Sequence, residues 1–136
     1  MPRREKHTDG GSIARGIPEI IEFLVPQFGD EPQHGRMLTA EGRDSVARTI
    51  WYSGVTAYES PLPNVVANLA QKSDYYINIG ANTGLYPLIA ALVNPLLRVD
   101  AFEPYPPCLE LLKANLNLNN VDSRVKVFCV AVSATH

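Results

Sequence analysis

Two glycines, Gly80 and Gly84, lie in a short polar segment, residues 78–84, between an apolar run and a helical pattern. Glycine lets the chain leave a strand sharply and removes a side chain from the path of a ligand. In open α/β sheets, ligands bind outside the carboxyl ends of the strands, where such a segment lies. We therefore predict a ligand-binding turn between a strand and a helix.

A carboxylate stands at the expected distance from this turn. Glu103 follows Gly84 by nineteen residues, and Pro104 ends the strand that carries Glu103. An acidic residue at this spacing typically accepts hydrogen bonds from the hydroxyls of a ribose. The glycine turn and the carboxylate together predict a nucleoside ligand.

The glycine pattern distinguishes between nucleoside cofactors. Dinucleotide cofactors favour G-x-G-x-x-G, whose second glycine lets the backbone approach the pyrophosphate. Here Asn82 holds the second position and Leu85 the last, which disfavours an NAD-binding oxidoreductase. S-adenosylmethionine carries ribose and adenine but no phosphate, and polar groups such as those of Asn78 and Asn82 suit its amino-acid end.

Alternating strand and helix patterns position these residues. The sequence predicts strands at 75–79, 98–102 and 125–130, with helices beginning at Leu85 and Pro106. Parallel strands need long crossovers, so residues 73–136 predict a βαβαβ half-domain of an α/β, Rossmann-like fold, with its strands in the order 3-2-1. Without a further strand beside it, the first strand is a sheet edge, which favours self-association with another chain.

Residues 1–72 are predicted to form an N-terminal helical or lid segment. Helical spacing of apolar residues predicts a helix from Ile17 to Leu24, and residues 29–35 are predicted to be a loop. Asp44 is placed to cap a second helix, and Pro63 to open a third. The predicted apolar stripe of the third helix consists of Leu62, Val65, Val66, Leu69 and Ala70.

Composition restricts the function. The formal charge is −2, which argues against a nucleic-acid partner because such binders need a concentrated basic face. No apolar stretch is long enough for a membrane span and no signal segment is evident, so the expected location is cytoplasmic. The three histidines are scattered and there are only two cysteines, so we predict no metal site.

The sequence also resembles a known family. The carrying motifs are residues 77–86 (INIGANTGLY), 101–104 (AFEP), 111–119 (LLKANLNLN) and 130–133 (VAVS), and the likeness covers about residues 50–136. In their order and spacing they are similar to the FkbM family of S-adenosylmethionine-dependent methyltransferases. The resemblance implies a class I methyltransferase fold and O-methylation of a small molecule or a sugar.

The resemblance also implies roles for individual residues. Glu103 would hold the ribose, Ala131 would lie near the adenine, and Asn78 stands where the family usually has an aspartate that supports the methionine amino group. The neutral amide therefore predicts weaker affinity or an altered hydrogen-bond network. The residues implied to line the methionine side are Gly80, Ala81, Asn82 and Gly84.

Family members continue through four further strands beyond the position of His136, so we expect this chain to represent the cofactor-binding part of a longer fold. The resemblance assigns no catalytic residue. The alternatives are a non-catalytic S-adenosylmethionine-binding module and, less favoured, an NAD-binding oxidoreductase fragment.

Overall fold

The computed structural model describes residues 16–26 and 31–134 and contains two sheets and four α-helices in those ranges. Short 3-10 helices lie at Val55–Ala57 and Asp122–Arg124. Among the described residues, no helix is long and apolar enough to cross a membrane. In chain order the main elements are β1 (Ile20–Leu24), β2 (His34–Leu38), α1 (Ser45–Ser53), α2 (Leu62–Ala70), β3 (Tyr75–Ile79), α3 (Leu85–Val93), β4 (Arg98–Phe102), α4 (Pro106–Leu118) and β5 (Val125–Phe128).

The central sheet is parallel, with the strand order β3-β4-β5. This confirms the predicted α/β class, the alternation of strands and helices and the order 3-2-1. The register aligns Ile79, Phe102 and Phe128 across the three strands, so their carboxyl ends meet at one edge. The turn predicted to bind a ligand follows β3 at that edge.

Helices α3 and α4 cover one face of the sheet. Val99 and Ala101 of β4 and Val125 of β5 are buried on this face. Leu88 and Leu112 from the two helices are fully buried. These aliphatic side chains form a core that holds the turn between β3 and α3 against the helix layer.

The opposite face of the sheet carries exposed apolar side chains. Ile77 and Ile79 on β3 are 55% and 60% exposed. Phe102 and Phe128 stack on the same face with ring centroids 4.7 Å apart, because their register places them side by side. Within residues 16–26 and 31–134, no strand pairs with the outer edge of β3.

The prediction of a helix from Ile17 to Leu24 is wrong. Residues 20–24 form β1, which pairs antiparallel with β2, so the N-terminal segment combines a β-hairpin with helices. Ile21 and Phe23 are buried while Ile20 and Leu24 are exposed, which is a strand period of two. Apolar residues at positions 17, 20, 21 and 24 have helical spacing, whereas those at positions 21, 23 and 25 alternate as in a strand, and the partner strand decides between the two periods.

The predicted loop at residues 29–35 needs a related correction at its end, because β2 begins at His34. Gly35 lies opposite Phe23 in the hairpin register. A Cβ at Gly35 would overlap the Phe23 ring, so the glycine is required by packing between the strands. Residues 1–15 and 27–30 lie outside the described residues.

The predicted beginnings of α1 and α2 are confirmed, but the predicted apolar stripe of α2 is only partly buried. Asp44 caps α1 by accepting hydrogen bonds from the backbone N–H groups of Val46 and Ala47, as predicted. In α2 the buried residues are Pro63, Val66, Ala67 and Ala70. The remaining members of the predicted stripe, Leu62, Val65 and Leu69, are 40–62% exposed because α2 contacts α3 along its narrower, alanine-bearing side.

Asn115 of α4 and Asn119, the residue that caps the end of α4, attach the hairpin to the helix layer. Asn119 Oδ1 accepts a hydrogen bond from the Arg36 backbone N–H at 2.9 Å. Asn115 Oδ1 accepts one from the Leu38 backbone N–H at 2.8 Å. Asn119 Nδ2 donates in return to the Arg36 carbonyl at 2.7 Å. Because the two asparagines are one helical turn apart, they satisfy the free edge of β2 as a third strand would.

We predict that Asn115→Ala lowers the free energy of unfolding by about 2–4 kcal/mol. Asn115 is fully buried, and its Nδ2 also donates to the Thr83 carbonyl at 2.8 Å, so the substitution leaves two buried backbone groups unpaired. Urea denaturation measures the change. Asn117→Ala on the exposed side of α4 is the control and is expected to stay within about 0.5 kcal/mol of the wild type. Equal effects of both variants would contradict the assignment.

We also predict that the 136-residue chain self-associates through the outer edge of β3. A charge on an edge strand opposes pairing with another chain, so Ile77→Lys is expected to reduce the associated fraction several-fold. Sedimentation velocity over a concentration series measures it. Leu96→Lys, in a turn where the side chain is 89% exposed, introduces the same charge as a control. A wild-type chain that stays monomeric at every concentration would contradict the prediction.

Candidate functional site

The turn between β3 and α3 is held in an unusual backbone conformation. Gly80, Asn82 and Gly84 have positive φ angles of 74°, 51° and 95°. The backbone N–H groups of Gly80 and Ala81 both donate to the Phe102 carbonyl at 2.9 Å, which ties the turn to the end of β4. The turn lies at the carboxyl edge of the sheet, as the sequence predicts, and exposes Gly80 and Asn82 there.

Gly84 begins α3 and is required by both its conformation and its packing. Its φ of 95° is rarely adopted by residues with side chains. A Cβ at this position would also come within 3.0 Å of the Leu112 side chain of α4. The close approach of α4 therefore fixes the position of the turn relative to the helix layer.

Glu103 lies directly beside the turn, and its side chain is buried. One carboxylate oxygen, Oε2, accepts a hydrogen bond from the Asn82 N–H at 2.8 Å, and Oε1 accepts one from the Tyr105 N–H at 2.8 Å. The carboxylate thereby joins the segments that follow β3 and β4. Each oxygen keeps a further lone pair with which it can accept another donor.

Asp44 and Thr83 form a second contact with the turn. Thr83 Oγ1 donates to Asp44, 3.2 Å from Oδ2, while Asp44 also caps α1. Burial raises the pKa of the Asp44 carboxyl, although hydrogen bonds from Ala47, Val46 and Thr83 oppose the shift. Sequence reasoning identified Asp44 only as a helix cap, since nothing in the sequence places α1 beside the turn.

Two clefts open beside the turn. The larger, about 560 Å³, lies between the beginnings of α1 and α4 and is lined by Asp44, Thr83, Tyr105 and Cys108 among others. Burial, together with the nearby Glu103 and Asp44 carboxylates, raises the pKa of the Cys108 thiol, which disfavours a nucleophilic thiolate.

The smaller cleft, about 90 Å³, lies on the α3 side of the turn. Tyr58, Glu59 and Tyr86 line it opposite residues 80–83. No binding role was assigned from the sequence to these three residues. Their adjacency depends on the packing of α2 against α3.

Two of the predicted site residues, Asn78 and Ala131, do not lie in the clefts beside the turn. Asn78 lies on β3, and its buried Oδ1 accepts no hydrogen bond from the described residues. Ala131 follows the end of β5 and is exposed, and neither residue lines the two clefts. The turn and Glu103 are therefore brought together, whereas the binding roles of all seven predicted residues stay predictions.

The described residues contain no group of three or more His, Cys, Asp or Glu side chains that could hold a metal ion. His34 lies in β2, and His7 and His136 lie outside the described residues.

Comparison with known proteins gives one similar sequence. No family model matches the chain. The methyltransferase sdnD of Sordaria araneosa is 36% identical over 70 residues, which are 52% of this chain and 27% of that protein. The matched region thus spans about a quarter of the length of that methyltransferase.

Solved structures match about half of the chain. The S-adenosylmethionine-dependent methyltransferase from Agrobacterium tumefaciens is 18% identical, with 49% of this chain and 22% of that chain covered and a TM-score of 0.44. TYW2 of P. horikoshii in complex with MeSAdo is 24% identical, with 49% and 25% covered and a TM-score of 0.45. The N-terminal domain of human METTL16 in complex with SAH is 25% identical, with 54% and 32% covered and a TM-score of 0.45.

We predict that Asp44→Asn gains stability relative to the wild type as the pH rises from about 4 to about 7. In the folded state the pKa of the Asp44 carboxyl lies above its ordinary value of 3.8, so protonation stabilises the folded wild type. This stabilisation is lost as the pH rises through the folded pKa, and the variant does not have it to lose. Asparagine caps a helix about as well as aspartate and does not titrate. Urea denaturation at several pH values measures the difference.

The same substitution at Asp74, an exposed turn residue, controls for the removal of a negative charge. A stability difference between Asp44→Asn and the wild type that moves in the opposite direction with pH would contradict the prediction.

Proposed function

We propose that this chain binds S-adenosylmethionine at the carboxyl ends of β3 and β4 and forms the cofactor-binding part of a methyltransferase. The observation that carries the proposal is the contact between Glu103 and the glycine turn. The carboxylate accepts a hydrogen bond from the Asn82 N–H at 2.8 Å, so an acidic group and the glycine turn share one edge of the sheet. That combination suits a ribose attached to a compact second group.

Similarity to a methyltransferase supports the same conclusion. The match of 36% identity over 70 residues is to a protein named as a methyltransferase. Membership of the FkbM family is a narrower proposal that rests on the motifs at residues 77–86, 101–104, 111–119 and 130–133.

The structure of the turn disfavours a dinucleotide cofactor. Asn82 places a side chain where the pyrophosphate would approach, and Glu103 already occupies its N–H group. A phosphate-free nucleoside avoids both problems.

The chain's own residues would position the cofactor. When bound, S-adenosylmethionine supplies a methyl group already activated by its sulfonium, so catalysis depends mainly on orientation. Glu103 would orient the ribose, and the backbone of residues 80–84 would hold the amino-acid side. The nearly balanced charge supports a small-molecule or sugar hydroxyl as methyl acceptor over a nucleic acid.

We predict that the chain binds S-adenosylhomocysteine and that Glu103→Gln weakens this binding about tenfold or more. Glutamine lacks the negative charge and offers one acceptor oxygen in place of two, so the ribose loses a charge-assisted hydrogen bond. Isothermal titration calorimetry measures both affinities. Glu110→Gln, the same substitution on the exposed face of α4, is the control and is expected to bind as the wild type does.

Circular dichroism verifies that each variant is folded. An absence of heat with millimolar S-adenosylhomocysteine would contradict the proposed function, and binding of NADH in its place would favour the dinucleotide alternative.

A further inference from the structure

The smaller cleft is lined by a carboxylate and two phenols that the proposed nucleoside site does not use. Tyr58 and Glu59 reach it from the segment before α2, and Tyr86 reaches it from the first turn of α3. Residues 80–83 of the glycine turn form its other wall. A ligand bound on the α3 side of the turn therefore lies next to these three side chains.

Glu59 is held in a defined position there. Tyr86 Oη donates a hydrogen bond to Glu59 Oε2 at 2.6 Å. The other oxygen, Oε1, accepts no hydrogen bond from the residues that the structure describes. Glu59 also adopts a positive φ of 45°, which is costly for a residue with a side chain. One carboxylate oxygen thus remains available at the wall of the cleft.

In the other carboxylates near the turn, both oxygens accept a hydrogen bond from the protein. Glu103 accepts hydrogen bonds from two backbone N–H groups, one at each oxygen. Asp44 caps α1 and accepts from Thr83. Asn78, on β3, carries no charge. Of these four side chains, Glu59 is the one that has both a negative charge and an oxygen that accepts no hydrogen bond from the described residues.

The cleft is electrostatically suited to a cation. Among the described residues, no lysine or arginine lines it. Burial is the largest cause that raises the pKa of both Tyr58 and Tyr86, so the two phenols stay neutral and Glu59 provides the charge. Their ring centroids lie 6.4 Å apart at a tilt of 41°. The faces of aromatic rings attract ammonium groups, which adds to the attraction of the carboxylate.

We propose that Glu59, with the rings of Tyr58 and Tyr86, binds the ammonium group of the amino-acid end of S-adenosylmethionine. The inference rests on the proposed function, since it places that end of the cofactor on the α3 side of the glycine turn. Tyr86 is then a positioning residue, because its hydroxyl orients the carboxylate.

The test compares two ligands that differ in the group that Glu59 would bind. S-adenosylhomocysteine carries the ammonium, whereas 5′-methylthioadenosine has the same nucleoside and lacks the amino-acid portion. Glu59→Gln is expected to weaken S-adenosylhomocysteine about tenfold and to change the affinity for 5′-methylthioadenosine less than twofold, both measured by calorimetry. Tyr86→Phe is expected to weaken only S-adenosylhomocysteine, and by a smaller factor.

Glu41→Gln is the matched control. Glu41 is an exposed glutamate that also has a positive φ, at 59°, and it lies outside the smaller cleft. This variant is expected to bind both ligands as the wild type does. Because Glu59 is exposed, its substitution should leave the fold intact, which circular dichroism verifies.

The outcomes separate the two proposals. If the wild type binds neither ligand, the proposed function and this inference both fail. If the wild type binds both ligands and Glu59→Gln leaves both affinities unchanged, the cofactor site stands and the inference about Glu59 is wrong. Equal weakening of both ligands would also overturn the inference, because it would show that Glu59 supports the site as a whole.

Discussion

The hydrogen bonds of one buried carboxylate define the candidate site. Glu103 accepts from the Asn82 N–H and from the Tyr105 N–H, and so links the segments that follow β3 and β4. Hydrogen bonds to a charged acceptor are stronger than neutral ones, and burial limits competition from water. The same group that would bind a ribose therefore also shapes the turn against which the rest of the ligand would lie.

A chain of buried polar groups connects this turn with the N-terminal segment. Asp44 caps α1 and accepts from Thr83 Oγ1, while the Thr83 carbonyl accepts from Asn115 Nδ2. Asn115 also accepts from Leu38 in the hairpin. A half-satisfied buried network is costly, so α1, the turn, α4 and β2 are constrained to one arrangement. The N-terminal segment is thus part of the wall of the site.

The sheet has two faces of different character. Helices α3 and α4 bury Val99 and Ala101 on one face, while Ile77 and Ile79 stay exposed on the other. The glycine turn depends on the covered face, because Gly84 packs against Leu112 of α4. The face of the sheet that the helices cover therefore positions the candidate site.

The sequence alone determined the parallel half-domain, because glycines, prolines and apolar periodicity act locally. It placed β3 at residues 75–79 and Glu103 at the end of β4. It did not determine the hairpin, since apolar residues at positions 17, 20, 21 and 24 fit a helix and those at positions 21, 23 and 25 fit a strand, and pairing with β2 decides the period. The sequence did not predict the smaller cleft either. Glu59 and Tyr86 are 27 positions apart, and only the packing of α2 on α3 brings their side chains into contact.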